Sequence, residues 1–287
     1  MASTEPIGPL AGRTAIITGA SRGIGRAVAI RLGAAGANVA MIARTQEPHP
    51  KFIGTIHTAA AEAEAAGGDV LPIVADVRDD VSMADAVQQT VERFGGIDFV
   101  INNAAVIAPD RTEQVSMRQY DWMHDTNLRG TLLLTKLSLP ELRRSAQQGR
   151  YPHVLNISPP INLSPKWLGR HLEYAVIKYG ISMATIGLAH EYARYGIAVN
   201  SLWPRTTIDT AAIRNVLGGE ESVAASRSPF VVAEAAVHLL GQGAEPGHSG
   251  QLLLDEDVLT ANGVTDLDPY RAVPGDGELD LDLFIDA

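Results

Sequence analysis

Short runs of apolar and β-branched residues alternate along the chain with longer segments in which apolar residues recur every three or four positions. The short runs are continuously apolar, as is typical of strands that are buried on both faces of a parallel sheet. We therefore predict an α/β fold, a doubly wound parallel sheet of about seven strands in a single domain. The predicted strands are TAIIT (14–18), NVAMIA (38–43), VLPIVADV (70–77), IDFVINN (97–103), HVLNIS (153–158), IAVNSL (197–202) and QLLLD (251–255).

The C-terminal end of the chain differs in composition from the rest. No stretch before about residue 265 resembles an interdomain linker, so we predict one domain over residues 1–264 and a C-terminal extension over residues 265–287. The extension ends in VPGDGELDLDLFIDA, which is acidic and has leucines at alternate positions. It is either an edge segment or loosely ordered end, or an arm that packs across a neighbouring subunit.

The composition limits the class of protein. Hydrophobic residues make up 46% of the 287 positions, which is enough for a substantial core and excludes a disordered chain. The net charge of −10 argues against a nucleic-acid partner, because a nucleic-acid surface needs a basic face. The absence of cysteine excludes a disulfide or a zinc–thiolate site. The histidines are scattered singly without metal-binding spacing, so we expect no metal.

The sequence also bears on location. The N-terminal residues MASTEPIGPLAGR lack the basic stretch and the long apolar run of a secretory signal. No uninterrupted apolar stretch approaches the ~18 residues of a membrane span. We therefore expect a cytoplasmic protein without a membrane-spanning helix.

A glycine-rich stretch, TGASRGIG (18–25), follows the first predicted strand and opens a helix. In this position Gly19 permits a tight turn, Gly23 lets the chain approach a pyrophosphate, and Gly25 allows close packing of helix and strand. The exposed N–H groups and the dipole of the helix then attract phosphate. This stretch predicts a dinucleotide site.

Tyr174 and Lys178 lie one helical turn apart, so they share a helix face. A tyrosine with a pKa of ~10 must be activated before it can act as a general acid/base near neutral pH. One ammonium group ~4 Å away, at an effective dielectric constant near 20, contributes about 4 kcal/mol. That energy lowers a pKa by about 3 units, so we expect Lys178, together with an oxidised nicotinamide, to activate Tyr174.

Five motifs resemble those of the short-chain dehydrogenase/reductase family in their order and separation. They are Thr-Gly-x-x-x-Gly-x-Gly at 18–25, Asp76, NNAA at 102–105, Asn127 in NLRG, and Tyr174-x-x-x-Lys178. The resemblance covers about residues 10–260. It implies a Rossmann-like fold and an oxidoreductase that transfers a hydride between a nicotinamide cofactor and a small-molecule carbonyl or secondary alcohol.

The same resemblance assigns roles to individual residues. Tyr174 would be the general acid/base, Lys178 its activator, and Asn127 would hold a water molecule that links Lys178 to solvent. Relatives are dimers or tetramers that pack through the helices containing Asn127 and Tyr174, so we expect a homodimer or homotetramer. A monomer mass by light scattering would contradict that expectation.

Within the family, four segments resemble the hydroxysteroid dehydrogenase-like protein 2 group. They are EPHPKFIGTIHTAA, NISPPINL, KYGISM and LWPRTTIDTAA. Animal members of that group carry a sterol-carrier module after the reductase domain. The present chain ends without room for one, so we expect the reductase domain alone.

The resemblance also implies which residues contact the cofactor. Asp76 and Val77 would lie near the adenine, Asn103 and Ala104 beside the ribose, and Thr206 to Ile208 near the nicotinamide and pyrophosphate. Arg205 replaces the glycine that usually follows Pro204. The full set is Gly19, Ser21, Arg22, Gly23, Ile24, Gly25, Arg44, Asp76, Val77, Asn103, Ala104, Tyr174, Lys178, Thr206, Thr207 and Ile208.

Charge favours NADP(H) over NAD(H). A 2′-phosphate needs a cation where NAD would need a carboxylate on the ribose hydroxyls. The second strand ends at Ala43-Arg44 without an acidic residue, and the glycine-rich stretch contributes Arg22.

The hydroxyl donor that usually accompanies such a tyrosine is not evident. In the family the fifth strand commonly ends in Asn-Ile-Ser-Ser, and the second serine polarises the carbonyl; here Pro159 takes its place. Ser158 is the nearest hydroxyl, although strand alternation would point it to the other face. Asn162 and Ser164 are further candidates, and a satisfied core hydroxyl is an equally good interpretation of Ser158.

Two segments bear on the substrate. The loop 159–173 carries apolar residues next to cations, which would suit a fatty, steroid-like or acyl-linked carbonyl, although a packed loop with a solvated rim fits equally well. The apolar residues are Ile161, Leu163, Trp167 and Leu168, and the basic ones are Lys166, Arg170 and His171. Residues 206–219 end on two glycines and are a candidate mobile lid.

A second function remains open from the sequence. Pro159, Arg205 and the C-terminal extension would also suit a non-catalytic NADP-binding sensor or regulatory protein on the same fold. A screen of ketones and secondary alcohols would separate that sensor from an enzyme.

Overall fold

The computed structural model describes residues 8–48, 54–108, 110–242 and 248–286. Seven parallel strands form one sheet in the order β3-β2-β1-β4-β5-β6-β7. The doubly wound parallel sheet predicted from the apolar runs is therefore confirmed. The strands are β1 (Thr14–Thr18), β2 (Asn38–Ala43), β3 (Asp69–Val74), β4 (Phe99–Asn102), β5 (His153–Ile157), β6 (Ala198–Trp203) and β7 (Leu252–Leu254).

Helices cover both faces of the sheet. Their starts follow capping residues that the sequence supplies: Thr55 and Ser116 form capping boxes, and the Asp79 side chain accepts from the Ser82 N–H. The helices are α1 (Gly23–Ala34), α2 (Ile56–Ala65), α3 (Asp80–Phe94), α4 (Met117–His124), α5 (Gly130–Gln147), α6 (Pro165–Leu168), α7 (Leu172–Tyr192), α8 (Gly219–Ala224), α9 (Phe230–Gly241) and α10 (Asp255–Ala261).

Short helical turns of other types join these elements. They are the π-helical turns Asp125–Arg129 and Ile213–Leu217 and the 3₁₀ turns Ala193–Tyr195 and Asp268–Tyr270. Within the described residues, no helix is both long enough and apolar enough to cross a membrane.

The strands carry apolar side chains on both faces. Ile17 and Met41 face one core layer, whereas Ile16 and Ile42 face the other. All four side chains are fully buried. The alternation of side chains across a strand explains why the strand sequences are continuously apolar: each face meets a layer of helices.

The strand order positions the site. The chain winds outward from β1 to β3 and then crosses to β4, on the other side of β1, before it winds outward to β7. In such sheets a crevice opens beyond the carboxyl ends of the strands at the point where the winding reverses. Here that point lies between β1 and β4, just before the glycine-rich stretch.

Residues 280–286, which we call the C-terminal segment, fold back onto their own domain. The Thr207 N–H donates to Asp280 O at 2.9 Å, and the Asp282 N–H donates to Arg205 O at 3.0 Å. Thr206 and Leu281 form an antiparallel bridge. Phe284 at the end of this pairing is buried. This arrangement differs from a loosely ordered end, because backbone hydrogen bonds and an aromatic anchor hold the segment.

Candidate active site

A cavity of about 510 Å³ opens beyond the carboxyl ends of β1, β2, β4, β5 and β6. It brings the glycine-rich stretch together with Tyr174 and Lys178, which are far apart in the chain. Its lining includes Gly19, Ser21, Arg22, Gly23, Ile24, Arg44, Val77, Asn103, Ala104, Val106, Ile107, Ile157, Tyr174, Lys178, Trp203, Pro204, Ile208, Ile213, Asp282 and Leu283.

The glycine-rich stretch forms one end of the cavity. Its glycines leave room for a ligand to contact the protein backbone. A Cβ atom on Gly19 would lie 2.8 Å from the Ala104 Cα, and one on Gly25 would lie 2.4 Å from the Asn103 Nδ2. Gly19 and Gly23 also have positive φ angles, 67° and 55°. Only glycine fits these positions. The N-terminus of α1 has no side-chain cap, so its N–H groups can donate to a dinucleotide phosphate.

Cations lie at the same end of the cavity. Arg22 Nη2 donates to Thr45 Oγ1 at 2.9 Å. Arg44 Nη1 lies 3.5 Å from Asp76 Oδ2, although Asp76 is held more closely by Arg78 at 2.6 Å. The hydrogen bonds from Arg78 keep the pKa of Asp76 below its usual value. Val77 and Arg44 line the cavity, whereas Asp76 and its closer partner Arg78 do not.

Lys178 and Tyr174 line the inner part of the cavity, both on α7. Lys178 Nζ donates to Ile157 O at 2.8 Å and lies 5.9 Å from the centre of the Tyr174 ring. Burial lowers the pKa of Lys178 to about 8, although the carboxyl group of Asp282 acts in the opposite direction. The lysine is therefore positioned by β5 and still largely charged near neutral pH.

The expected lowering of the Tyr174 pKa is not seen. Burial raises this pKa, and the nearby Asp282 raises it further. Loss of water around the phenolate is the main cause, because Tyr174 is only 6% exposed and its ring stacks on Phe284. Tyr174 thus remains protonated at neutral pH.

The Asn127 side chain is hydrogen-bonded to the backbone of Val106. Its Oδ1 accepts from the Val106 N–H at 2.8 Å, and its Nδ2 donates to Val106 O at 2.9 Å. Asn127 is fully buried in the π-helical turn between α4 and α5. Both bonds join Asn127 to Val106, which lines the cavity, so Asn127 fixes this part of the cavity wall.

The three candidate donors after β5 do not face the cavity. Ser158 is fully buried, and its Oγ accepts from Ser182 Oγ at 3.2 Å, so it is the satisfied core hydroxyl. Asn162 Nδ2 donates to Phe284 O at 3.0 Å and to Asp286 Oδ2 at 2.7 Å. Asn162 Oδ1 accepts from the Ser164 N–H, which directly precedes α6.

The segment after β6 only partly follows the prediction. Ile208 lines the cavity as expected, but Thr206 and Thr207 do not. The Thr207 hydroxyl is 2.9 Å from Ser226 Oγ, and Thr206 is bridged to Leu281. Pairing with the C-terminal segment turns both threonines away. Residues 210–213 of the candidate lid line the cavity instead.

The loop 159–173 does not form the apolar pocket wall. Leu163 is 73% exposed, and Ile161 is 37% exposed. Trp167 is buried, but it packs edge-on against Phe284, with ring centres 6.1 Å apart, and its Nε1 donates to Asp286 Oδ1. This part of the loop holds the C-terminal segment rather than a substrate.

Two cavity residues, Asp282 and Leu283, were missed by the sequence analysis. Phe284 beside them contacts the rings of Tyr174, Tyr179, Trp167 and Trp203 at centre distances of 5.2–6.3 Å. The only signal in the sequence was the pair Phe284-Ile285, two adjacent large apolar residues after an acidic, alternating stretch. In the described part of the chain, no cluster of three potential metal ligands occurs.

Comparisons with known proteins agree with this geometry. The family model described as short chain dehydrogenase matches residues 13–219. Hydroxysteroid dehydrogenase-like protein 2 from Danio rerio is 48% identical over 97% of this chain, which spans 65% of that relative's length. The crystal structure of a short chain dehydrogenase from Mycobacterium thermoresistibile is 49% identical, covers 96% of each chain and has a TM-score of 0.88.

A more distant structure contains a cofactor. It is a 3-ketoacyl-(acyl-carrier-protein) reductase from Brucella melitensis complexed with NADH, 25% identical, covering 85% of this chain and 96% of that one, with a TM-score of 0.70. The family match over most of the chain and the shared fold leave one conclusion: this chain belongs to the short chain dehydrogenase family, whose fold binds nicotinamide cofactors and carries out oxidoreductase chemistry.

Proposed function

We propose that the protein interconverts a carbonyl and a secondary alcohol on an apolar substrate, with NADP(H) as the hydride carrier and Tyr174 as the general acid/base. One observation carries the proposal: Tyr174 and Lys178 line the same cavity as the glycine-rich stretch. A phosphate-binding end and a proton-transfer end in a single cavity are what such a reaction requires.

The ionisation of Tyr174 favours the reductive direction. Reduction of a carbonyl consumes a proton at the oxygen, and a tyrosine whose pKa is raised by burial holds that proton throughout the neutral range. Lys178 is held by Ile157 O and attracts the negative charge that develops on the tyrosine oxygen as the proton leaves. The cofactor, when bound, supplies the hydride.

The apolar lining favours a substrate with a hydrophobic body. Near Tyr174 the cavity is lined by Ile157, Trp203, Ile208 and Leu283. Such walls suit a fatty acyl or steroid-like carbonyl. The name of the Danio rerio relative and the 3-ketoacyl reductase from Brucella melitensis support that substrate class.

A substrate screen tests the proposal. Oxidation of NADPH, followed by absorbance, should occur with at least one ketone from a panel of cyclic, steroid-like and long-chain 3-oxo compounds. Reduced cofactor that binds tightly but is not oxidised with any ketone, and no reduction of NADP by the matching alcohols, would favour the non-catalytic sensor.

Cofactor preference rests on the two arginines. Arg22 and Arg44 both line the end of the cavity next to Val77. We expect NADPH to bind more tightly than NADH, and Arg44→Ala to weaken NADPH binding by about tenfold while leaving NADH binding nearly unchanged, because a charged hydrogen bond contributes about 1.5–3 kcal/mol. Fluorescence titration measures both affinities. Arg93→Ala, far from this end, is the control; equal affinity of the wild type for the two cofactors would contradict the preference.

The expectation of a homodimer or homotetramer is supported by one face of α7. Val176, Met183 and Ile186 are 47–65% exposed there, which leaves an apolar stripe on a long helix. The cavity lies on the other side of this helix, where Tyr174 and Lys178 are buried.

A further inference from the structure

Asp282 is the one acidic side chain among the described residues that line the cavity. It shares the inner part of the cavity with Tyr174 and Lys178, close enough for its charge to influence the pKa of both. The hydroxyl and amide candidates after β5 are turned away or occupied, as described above. Asp282 is therefore the candidate in this cavity for a donor to the substrate oxygen.

Several contacts fix Asp282 in this place. Its N–H donates to Arg205 O, and the next carbonyl, Leu283 O, accepts from Trp203 Nε1 at 3.1 Å. Phe284 follows with a φ of 73°, a left-handed conformation that costs a non-glycine residue about 1–3 kcal/mol. The aromatic cluster around its ring offsets that cost. These contacts on both sides of Asp282 restrict the position of its side chain.

One oxygen of Asp282 is left for the substrate. Oδ1 accepts from the Leu283 N–H at 2.6 Å, and Asp282 lines the cavity, so Oδ2 is the oxygen that would carry a proton. Removal from water raises the pKa of Asp282 to about 7, and the neighbouring Asp255 adds to this effect, while the Leu283 N–H and Lys178 oppose it. The guanidinium of Arg205 pairs with Asp257 and Glu256 rather than with Asp282.

The carboxyl group of Asp255 favours the protonated form of Asp282. It is fully buried at the start of α10, where its Oδ1 accepts from the Arg205 and Glu256 N–H groups at 2.9 Å and 2.8 Å. Its Oδ2 has no partner within the described residues. When Asp255 is ionised, its negative charge raises the pKa of Asp282. Asp282, the one that reaches the cavity, can then serve as an O–H donor.

We propose that Asp282 is a catalytic residue that donates a hydrogen bond from its protonated carboxyl group to the reacting oxygen of the substrate, in place of a serine at the end of β5. This inference rests on the proposed function. In the reduction, the hydride adds to the carbonyl carbon, the oxygen takes its proton from Tyr174, and Asp282 keeps its own proton throughout. Asp282 therefore stabilises the developing negative charge without being consumed.

The expected loss of activity is taken from donors that bind the reacting oxygen in other enzymes. Loss of one such donor typically lowers the rate about 10²–10³-fold. Asp282→Ala removes the donor, whereas Asp282→Asn replaces the O–H with an N–H of similar reach. We expect kcat/KM to fall about 100-fold in Asp282→Ala and less than about tenfold in Asp282→Asn.

Asp280→Asn is the matched control, because Asp280 is exposed in the same segment and contributes only backbone hydrogen bonds to Thr207 and Ala225. It should leave kcat/KM unchanged. NADPH affinity, measured by fluorescence, should be the same in all three variants, which shows that the cofactor end of the cavity is intact. Asp282→Ala with activity within about threefold of the wild type, or Asp282→Asn as impaired as Asp282→Ala, would overturn the proposal.

A second measurement does not depend on turnover. The infrared difference spectrum between wild type and Asp282→Asn should contain a protonated carboxyl band at pH 6 that fades as the pH rises through about 7. Absence of that band at pH 6 would overturn the donor role even if activity falls. If the wild type reduces a ketone, Tyr174→Phe abolishes that activity and Asp282→Ala retains it, the proposed function stands and only this inference fails.

Discussion

Replacing Tyr174 with phenylalanine is expected to lower kcat for ketone reduction by at least about 100-fold, because the proton that the substrate oxygen needs is lost. Positioned general acids contribute about 10²–10⁴-fold. The ring itself should keep its place: it stacks on Phe284 with the ring planes 21° apart, and phenylalanine preserves that contact. Steady-state kinetics with NADPH measures the change.

Ser158→Ala provides the comparison for this result. Ser158 is buried against Ser182 and does not line the cavity, so its loss should change kcat less than about threefold, within the effect of one hydrogen bond in the core. Equal and complete loss of turnover in both variants would show that Ser158 is the donor after all. Unchanged turnover in Tyr174→Phe would remove the basis of the proposed function.

Replacing Phe284 with alanine is expected to destabilise the protein by about 3–5 kcal/mol, as is typical when a fully buried phenylalanine is lost from a packed core. Phe284 is 1% exposed and contacts four aromatic rings. Its removal also frees the segment that carries Asp282, so kcat/KM should fall together with stability. Urea unfolding measures the free energy of unfolding. The urea concentration at the midpoint of the transition is compared between the variant and the wild type.

Leu281→Ala is the matched control in the same segment. Leu281 is 39% exposed, and its pairing with Thr206 uses the backbone, so its truncation should cost less than about 1 kcal/mol. The difference between the two variants tests whether the aromatic cluster anchors the segment. Equal losses of stability would show that the segment is held by its backbone pairing alone.

Much of the fold could be predicted because its signals are local. Each strand is a continuous apolar run, and each helix has its own spacing and capping residues, such as Thr55 and Ser116. The glycine-rich stretch could be recognised from its spacing, and the structure adds a long-range reason for it, since Gly19 and Gly25 meet Asn103 and Ala104 at distances that exclude a Cβ. Strand periodicity, helix caps and glycine spacing can therefore be recognised in the local sequence.

The environment of the site could be predicted only in part. The expected activation of Tyr174 considered the charge of Lys178 but not the burial of the ring, which depends on Phe284. The partner of the Asn127 side chain could not be predicted for a similar reason: its amide bonds to Val106, 21 positions away. A motif identifies a residue, but the atoms packed around the side chain decide its ionisation and its partners.

The sequence alone determined the order of the strands along the chain, the dinucleotide loop and the Tyr174–Lys178 pair, because periodicity and short motifs act over neighbouring residues. Only the tertiary structure decided what surrounds that pair. Asn162 and Phe284 are joined although they lie 122 positions apart, and that closure brings Asp282 beside Lys178. Contacts over such separations arise from packing complementarity across the whole chain, which no local pattern of residues encodes.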